Sequence, residues 1–482
     1  MYQLWRINFE VKTLKFLLIY PPAIWSSAGQ NPTLSGSTVP PLGLLYIAKV
    51  LEDNGNKVEI IDYSAENVDR KKLEKSVKSS DAVGLTILTI TLSNSKQLIK
   101  LIKEMDKNKP VIIGGPHCSL YPEKSLIELD ADISVQGDGE TVINEISLAL
   151  QGKKHLSEIP GVYFRDKKNN IKSGPEAKLI KNLDAVSFPS RHLVKKYQYG
   201  KMYKPDVKKE KFTSIITSRG CPHQCKYCTR QFFGMKKYRL RSKENVINEL
   251  KELKENGYEY VVITDDSFLS NSKRAYQIMD DIVNEKLEFQ IFIQGARVDC
   301  AEEKLYLKMK EAGVKAISFG IESGNQDILD FYNKKTTLSQ IRKAVNLSRK
   351  MNFYTMGSFI FGAPFETEKH FENTIKFARS LPLNVAVFFP LEYRAGSELW
   401  ENAKKEGKIN SDEYCVPADL NRELAMFSNE EISLYCQQAQ KKFYFRPSYI
   451  LNEFIQGCKR KDFSFNKVEL RVLFENASKF LK

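Results

Sequence analysis

Cys221, Cys225 and Cys228 fall within the run Cys221-Pro222-His223-Gln224-Cys225-Lys226-Tyr227-Cys228. A C-x-x-x-C-x-x-C spacing gathers three thiolates around one small volume, and thiolates are the soft ligands that hold iron-sulfur clusters. Three ligands for a four-iron cluster leave one iron without a protein ligand. That open position lets a cofactor or substrate chelate the metal, whereas a structural site closes its shell. Zinc binding and a set of buried thiols are the competing readings. A structural zinc site wants a fourth ligand nearby; His223 lies inside the loop and no fourth cysteine follows at short range.

Such a loop needs a rigid mount. The apolar stretch 212–217 reads as a strand, and Ser218-Arg219-Gly220 suits a tight exit from it. Five further strand-like runs, at 260–264, 288–294, 316–320, 355–361 and 384–390, alternate with helical stretches. Six such units are too few for a closed eight-stranded barrel. Functional residues should gather at the carboxyl ends of the strands. The polar segments found there are Thr264-Asp265-Asp266-Ser267-Phe268, Gly295-Ala296-Arg297-Val298-Asp299 and Gly320-Ile321-Glu322-Ser323-Gly324.

The cysteine loop, with an aromatic Tyr227 immediately before its last cysteine, resembles the radical S-adenosylmethionine superfamily, and the six units match that superfamily's partial barrel. The resemblance implies a 4Fe-4S cluster on Cys221, Cys225 and Cys228, with the amino and carboxylate groups of S-adenosylmethionine on the open iron. One electron then cleaves the sulfonium and a 5'-deoxyadenosyl radical forms. A zwitterionic cofactor needs acceptors for its ammonium, a cation for its carboxylate and acceptors for its ribose hydroxyls. Asp265 or Asp266 serves the first, Arg297 the second, and Glu322 with Ser323 the third, with Tyr227 beside the cluster. Structural roles compete at each position: Asp265 as a helix cap, Arg297 paired with Asp299 or Glu302, Glu322 as a brace of its own loop.

Upstream, strands expected at 15–20, 57–62, 82–90, 110–114 and 132–136, with helices including 41–54 and 93–106, describe a doubly wound parallel α/β sheet whose ligands sit at strand carboxyl ends. Its turns include Gly114-Gly115-Pro116-His117 and Gln136-Gly137-Asp138-Gly139-Glu140. With Pro41-Leu42-Gly43-Leu44-Leu45-Tyr46, they resemble the Rossmann-like cobalamin-binding domain that precedes the barrel in class B radical S-adenosylmethionine methyltransferases. There, Gly114 and Gly115 would face the nucleotide tail and corrin edge. The Asp-x-His-x-x-Gly motif of methionine-synthase-type domains is missing, since Pro21-Pro22-Ala23-Ile24-Trp25 follows the first strand. The resemblance therefore implies base-off cobalamin without a histidine ligand, or a domain that kept its fold and lost the cofactor. His117 reads as a brace of the Gly-rich turn in preference to a cobalt ligand.

The expected domains are 1–150 (cobalamin-binding-like), 151–210 (hairpin and linker), 211–393 (radical core) and 394–482 (a helical C-terminal region). The 482 residues suffice for two or three cores. Eight cysteines are too few for a disulfide scaffold and fit a reducing compartment. Cys118, Cys300, Cys415, Cys436 and Cys458 read as buried apolar thiols. No apolar run is long enough to span a bilayer and the N-terminus has no secretory h-region, so the chain reads as cytoplasmic and not an integral membrane protein. A net charge of +15 raises nucleic acid, anionic lipid and acidic substrates as partners. Lysines spread along solvated helix faces such as 243–254 account for it instead, and no nucleic-acid partner is expected.

The expected reaction is cobalamin-dependent methylation of an unactivated carbon in a small-molecule or lipid substrate, with an electron donor such as flavodoxin or ferredoxin. The alternative keeps the radical without methyl transfer: cyclisation, oxidation or carbon-carbon coupling. A cluster protein without turnover is a third reading, against which the cofactor-shaped strand ends speak. A tRNA methylthiotransferase would carry further cluster cysteines in its N-terminal domain, where this chain has only Cys118.

Overall fold

The computed structural model describes residues 12–22, 39–201, 203, 207–229 and 237–460. These form two compact units, one mainly Pro41–Ile180 and the other mainly from Lys195 onward.

The first unit is a seven-stranded sheet. Strands β1 (Lys15–Tyr20), β2 (Lys57–Asp62), β3 (Ala82–Thr86), β4 (Val111–Gly114) and β5 (Ile133–Val135) are parallel. The antiparallel hairpin β6 (Val162–Arg165) and β7 (Ile171–Ser173) continues the sheet in the order 2-1-3-4-5-6-7. Leu17, Ile19, Val83, Leu85, Val111 and Ile113 bury completely or nearly so, as parallel strands covered on both faces require. β1 and β2 coincide with the runs expected from sequence. β3 stops at Thr86 because the rest of the apolar run turns out of the sheet, through Thr89–Thr91 into the helix Leu92–Met105. The strand order reverses between β1 and β3, and the crevice outside the carboxyl ends at such a switch point is where open α/β sheets take ligands.

The second unit is an open six-stranded parallel sheet. Its strands are β8 (Phe212–Ile215) and, after the short antiparallel pair β9 (Ser218–Arg219) and β10 (Arg239–Leu240), β11 (Tyr260–Ile263), β12 (Gln290–Ala296), β13 (Val314–Glu322), β14 (Tyr354–Phe361) and β15 (Val385–Pro390), in the order 15-14-13-12-11-8. Helices connect them. The helix Lys243–Glu255 starts at a Ser242 cap and turns Val246, Ile247, Leu250 and Leu253 inward, which leaves its three lysines partly exposed. The helix Leu338–Lys350 opens with a Thr337–Gln340 capping box.

Beyond the sheet, β16 (Glu392–Arg394) pairs with β17 (Cys415–Pro417), and the helices Glu398–Lys405, Asn429–Tyr444 and Pro447–Arg460 follow. Two cysteines there depart from expectation. Cys436 and Cys118 are buried and Cys300 is partly buried, but Cys415 and Cys458 are exposed. Strand alternation explains the first: Val416 points inward, so its neighbour Cys415 points out. Cys458 lies on a helix that buries Glu453 and Gln456 along with Tyr449 and turns most of its apolar residues outward. Glu453 accepts from Asn384 Nδ2 at 2.8 Å, and Asn452 accepts from Arg349 Nη2 at 2.6 Å, while Ile450, Leu451 and Phe454 face outward. No helix among the described residues is long and apolar enough to cross a membrane.

Candidate active site at the carboxyl ends of the second sheet

The cysteine loop leaves β8 through β9 and is tied down at several points. Gly220 adopts φ +83°, and a Cβ there would stand 2.2 Å from the Lys237 carbonyl oxygen, so only glycine fits. Asn333 Nδ2 donates to the Gln224 carbonyl at 2.8 Å, Lys226 N to the Tyr332 carbonyl at 3.0 Å, and His223 Nε2 shares a 2.8 Å hydrogen bond with Ser270 Oγ. Cys228 N donates to the Cys225 carbonyl at 3.0 Å, closing a turn between the last two thiols. Cys225 is buried, and Cys221 and Cys228 are partly exposed.

Beside the loop lies a buried charged trio. Lys334 Nζ meets Glu322 Oε1 at 2.7 Å, Tyr227 OH donates to the same oxygen at 2.8 Å, and Lys334 Nζ lies 3.1 Å from the phenol oxygen. Burial works against the Lys334 charge, but Glu322 and the Cys225 thiol outweigh it and hold the ammonium above the ordinary lysine range. Burial, then Glu322, pushes the Tyr227 phenol well up, so it remains a donor. Local backbone makes the trio possible. Glu322 ends β13 at φ +71°, a conformation that strains a side-chain-bearing residue and redirects its carboxylate. Gly320 clears the space, since a Cβ there would approach Glu322 Oε1 to 2.4 Å. Asn333 and Lys335 both have positive φ, and the chain between them drives Lys334 inward.

The other sequence-predicted residues have definite partners. Arg297 follows β12 and makes a forked pair with Asp299, with Nη2–Oδ2 at 2.7 Å, and Nη2 also donates to the Lys334 carbonyl at 2.7 Å. Asp265, beyond β11, accepts from Thr217 N at 2.6 Å and from the hydroxyls of Thr217 and Ser218 at 2.5 Å. It therefore braces the strand exit that launches the cysteine loop, and does not cap the following helix. Ser323 Oγ joins a buried cluster with Thr374 Oγ1 at 3.2 Å and Asn325 N at 3.2 Å. Asp266 is partly exposed at the mouth. Lys334 escaped sequence reasoning, because Asn333-Lys334-Lys335 has the composition of a solvated turn. The glycine two residues before Glu322 was the available signal that something must fit against that carboxylate.

In the first unit, the carboxyl-end loops are laced together. Gly115 has φ +97° and packs so closely that a Cβ would lie 2.7 Å from Thr86 Oγ1, while Gly114 has nothing nearer than Val135 Cβ at 3.7 Å from that position. His117 is fully buried, its N donating to the Ile87 carbonyl at 3.1 Å and its Nδ1 sharing a 3.2 Å hydrogen bond with Thr89 Oγ1. Burial, with help from Lys124, lowers its pKa to about 4 and keeps the ring neutral. Asn94 Nδ2 donates to the Pro22 carbonyl at 3.0 Å, tying the loop after β1 to the helix after β3.

Among the described residues, no three His, Cys, Asp or Glu side chains converge as a single metal ion requires. A cubane asks for something different, since each thiolate binds a different iron. Three thiols on a strapped loop, with the buried cations Arg297 and Lys334 beside Cys225, fit that requirement. An open parallel sheet with this loop at its carboxyl edge is the core of a radical S-adenosylmethionine enzyme.

Residues 215–378 match the radical SAM superfamily and residues 33–147 the B12 binding domain. The chain is 33% identical over 453 residues to an uncharacterized methyltransferase of Pyrococcus horikoshii, covering 92% of this chain and 96% of the relative. It is 27% identical over 424 residues to the cytidylyl-2-hydroxyethylphosphonate methyltransferase of Streptomyces wedmorensis, covering 77% and 79%. The fold is similar to that of the radical S-adenosylmethionine methyltransferase TsrM of Kitasatospora setae, solved with cobalamin and a 4Fe-4S cluster bound. That likeness has a TM-score of 0.66 at 19% identity and covers 83% of this chain and 76% of TsrM. The chain belongs to the cobalamin-dependent radical S-adenosylmethionine methyltransferase family, whose cofactors are the 4Fe-4S cluster, S-adenosylmethionine and cobalamin.

Proposed function

We propose that this enzyme methylates an unactivated carbon of a small-molecule or lipid substrate in the cytoplasm, drawing electrons from a low-potential donor such as flavodoxin or ferredoxin. The observation that carries the reading is the strapped three-cysteine loop beside the Tyr227–Glu322–Lys334 trio. When bound, the three cofactors supply an abstracting radical and a methyl donor. Cys221, Cys225 and Cys228 hold the iron, and the straps to Ser270, Tyr332 and Asn333 fix where they stand. Glu322, oriented by Tyr227 and Lys334, offers its carboxylate to ribose hydroxyls. Asp266, partly exposed at the same strand end, is the acceptor assigned to the ammonium, with Asp265 bracing Thr217 and Ser218 beside it. Lys334, itself paired with Glu322, is the cation assigned to the carboxylate, since the Arg297 fork is taken up by both Asp299 and the Lys334 carbonyl. Gly114 and Gly115 would offer bare backbone to the corrinoid, and His117, buried against Thr89, braces that turn and would not serve as a ligand.

Anaerobically reconstituted enzyme should hold about four irons per chain, retain a base-off corrinoid and form 5'-deoxyadenosine from S-adenosylmethionine under a strong reductant. Alanine at Cys221, Cys225 and Cys228 together should abolish iron and turnover. Full iron retention in that variant, or no corrinoid bound by the wild type, would overturn the proposal. A product without an added methyl group would move it to radical cyclisation or coupling.

A further inference from the structure

Arg297 has five N–H groups in a rigid fork, and most are spent. Nε and Nη2 serve Asp299 at 2.7–3.2 Å, and Nη2 also serves the Lys334 carbonyl. The remaining nitrogen, Nη1, points at Cys225 Sγ at 4.0 Å, the outer limit of an N–H···S contact. Arg297 is 5% exposed, and Cys225 is the buried member of the three cysteines. So clamped, this fork stands where it interacts with a cluster sulfur and offers little to an incoming carboxylate. Net charge and hydrogen bonds at the ligating sulfurs are what set iron-sulfur potentials. Accepting an electron adds one negative charge, which a fixed neighbouring cation favours.

We infer that Arg297, clamped by Asp299 and the Lys334 carbonyl against Cys225, sets the reduction potential of the cluster and does not bind the carboxylate of S-adenosylmethionine. The inference rests on the cluster assignment above. The step concerned moves one electron from a low-potential donor, dithionite in the assay, onto the cluster. No covalent bond changes, and the donor is oxidised by one electron.

The test is a potentiometric titration of the reconstituted holoenzyme, followed by electron paramagnetic resonance without S-adenosylmethionine. Arg297→Gln removes the cation and should make reduction about tenfold less favourable, a shift of about 59 mV to more negative potential. Iron content and S-adenosylmethionine affinity should stay near wild type. Asp299→Asn removes the neighbouring negative charge and should shift the midpoint the opposite way. Opposed signs cannot come from a general loosening of the site. If Arg297→Gln fails to hold iron, the Asp299→Asn midpoint decides alone: a positive shift supports the inference, and an unchanged one overturns it. An unchanged Arg297→Gln midpoint with intact iron also overturns it, and a loss of S-adenosylmethionine affinity would then return Arg297 to carboxylate binding. Wild-type protein without iron would instead defeat the cluster assignment itself.

Discussion

Replacing Lys334 with methionine tests the charged trio directly. The side chains of Lys334 and Glu322 are only 8% and 7% exposed, so solvent cannot stand in for a missing partner. Methionine fills similar volume but leaves the Glu322 carboxylate buried with only Tyr227 OH as a known donor. Breaking a buried pair from one side costs about 3–5 kcal/mol. For a unit of this size, that lowers the melting temperature by roughly 5–8 °C. The Lys334 ammonium is held above its ordinary range, so its contribution is complete at neutral pH and is lost only as pH rises through the folded-state value. The deficit should therefore be level between about pH 6 and 9. Adding Glu322→Gln to Lys334→Met removes the stranded charge while keeping an acceptor for Tyr227, and should recover more than half of the loss. Circular dichroism melts of the four proteins in the cycle, under anaerobic conditions, give the coupling. Lys334→Met melting within about 2 °C of wild type, or a double variant no better than the worse single, would refute the reasoning.

Two other perturbations read different parts of the unit. Glu366, after β14, accepts from Gly362 N at 2.7 Å and Ala363 N at 3.0 Å, and burial raises its pKa to about 8. The folded state then binds more protons than the unfolded one between about pH 4.5 and 8, so wild-type stability should fall across that window, by at most about 1.4 kcal/mol per pH unit. Glu366→Gln keeps both backbone contacts and should flatten the profile, melting above wild type at pH 8; parallel profiles would sink the idea. Gly220→Ala drives a Cβ into the Lys237 carbonyl and should cost most of the bound iron, measured colorimetrically, while the sheet survives by circular dichroism.

Both sheets were legible because parallel strands buried on two faces leave continuous apolar runs between turn residues, as at 15–20 and 260–263. The cysteine loop was legible because its chemistry is carried by spacing alone. Spacing says nothing about partners, which is why Asp265 proved to be a brace at the strand exit and Arg297 a clamped fork. Lys334 was hidden because its burial depends on the positive φ of Asn333 and Lys335, a property of backbone path and not of residue type. Cys458, expected to be buried, is exposed on a helix that also turns Ile450, Leu451 and Phe454 outward. A pattern shows that a helix has two faces; the partners of Glu453 and Asn452, Asn384 and Arg349, determine which face turns in.

The hairpin β6–β7 hydrogen-bonds along β5 and finishes the first sheet with a short strand carrying exposed Lys172. A parallel edge strand left bare presents unpaired amide and carbonyl groups that recruit other chains. Excision of the corrinoid module near residue 150 would strip β5 of that cover and produce material prone to self-association through its edge. A cut beyond Val194, with the Ile180 amide still anchored to Asp138 at 2.9 Å, keeps β5 covered and the unit whole. The segment after the last α/β repeat is thus a terminator for strand addition, and dissection of the chain for spectroscopy should respect it.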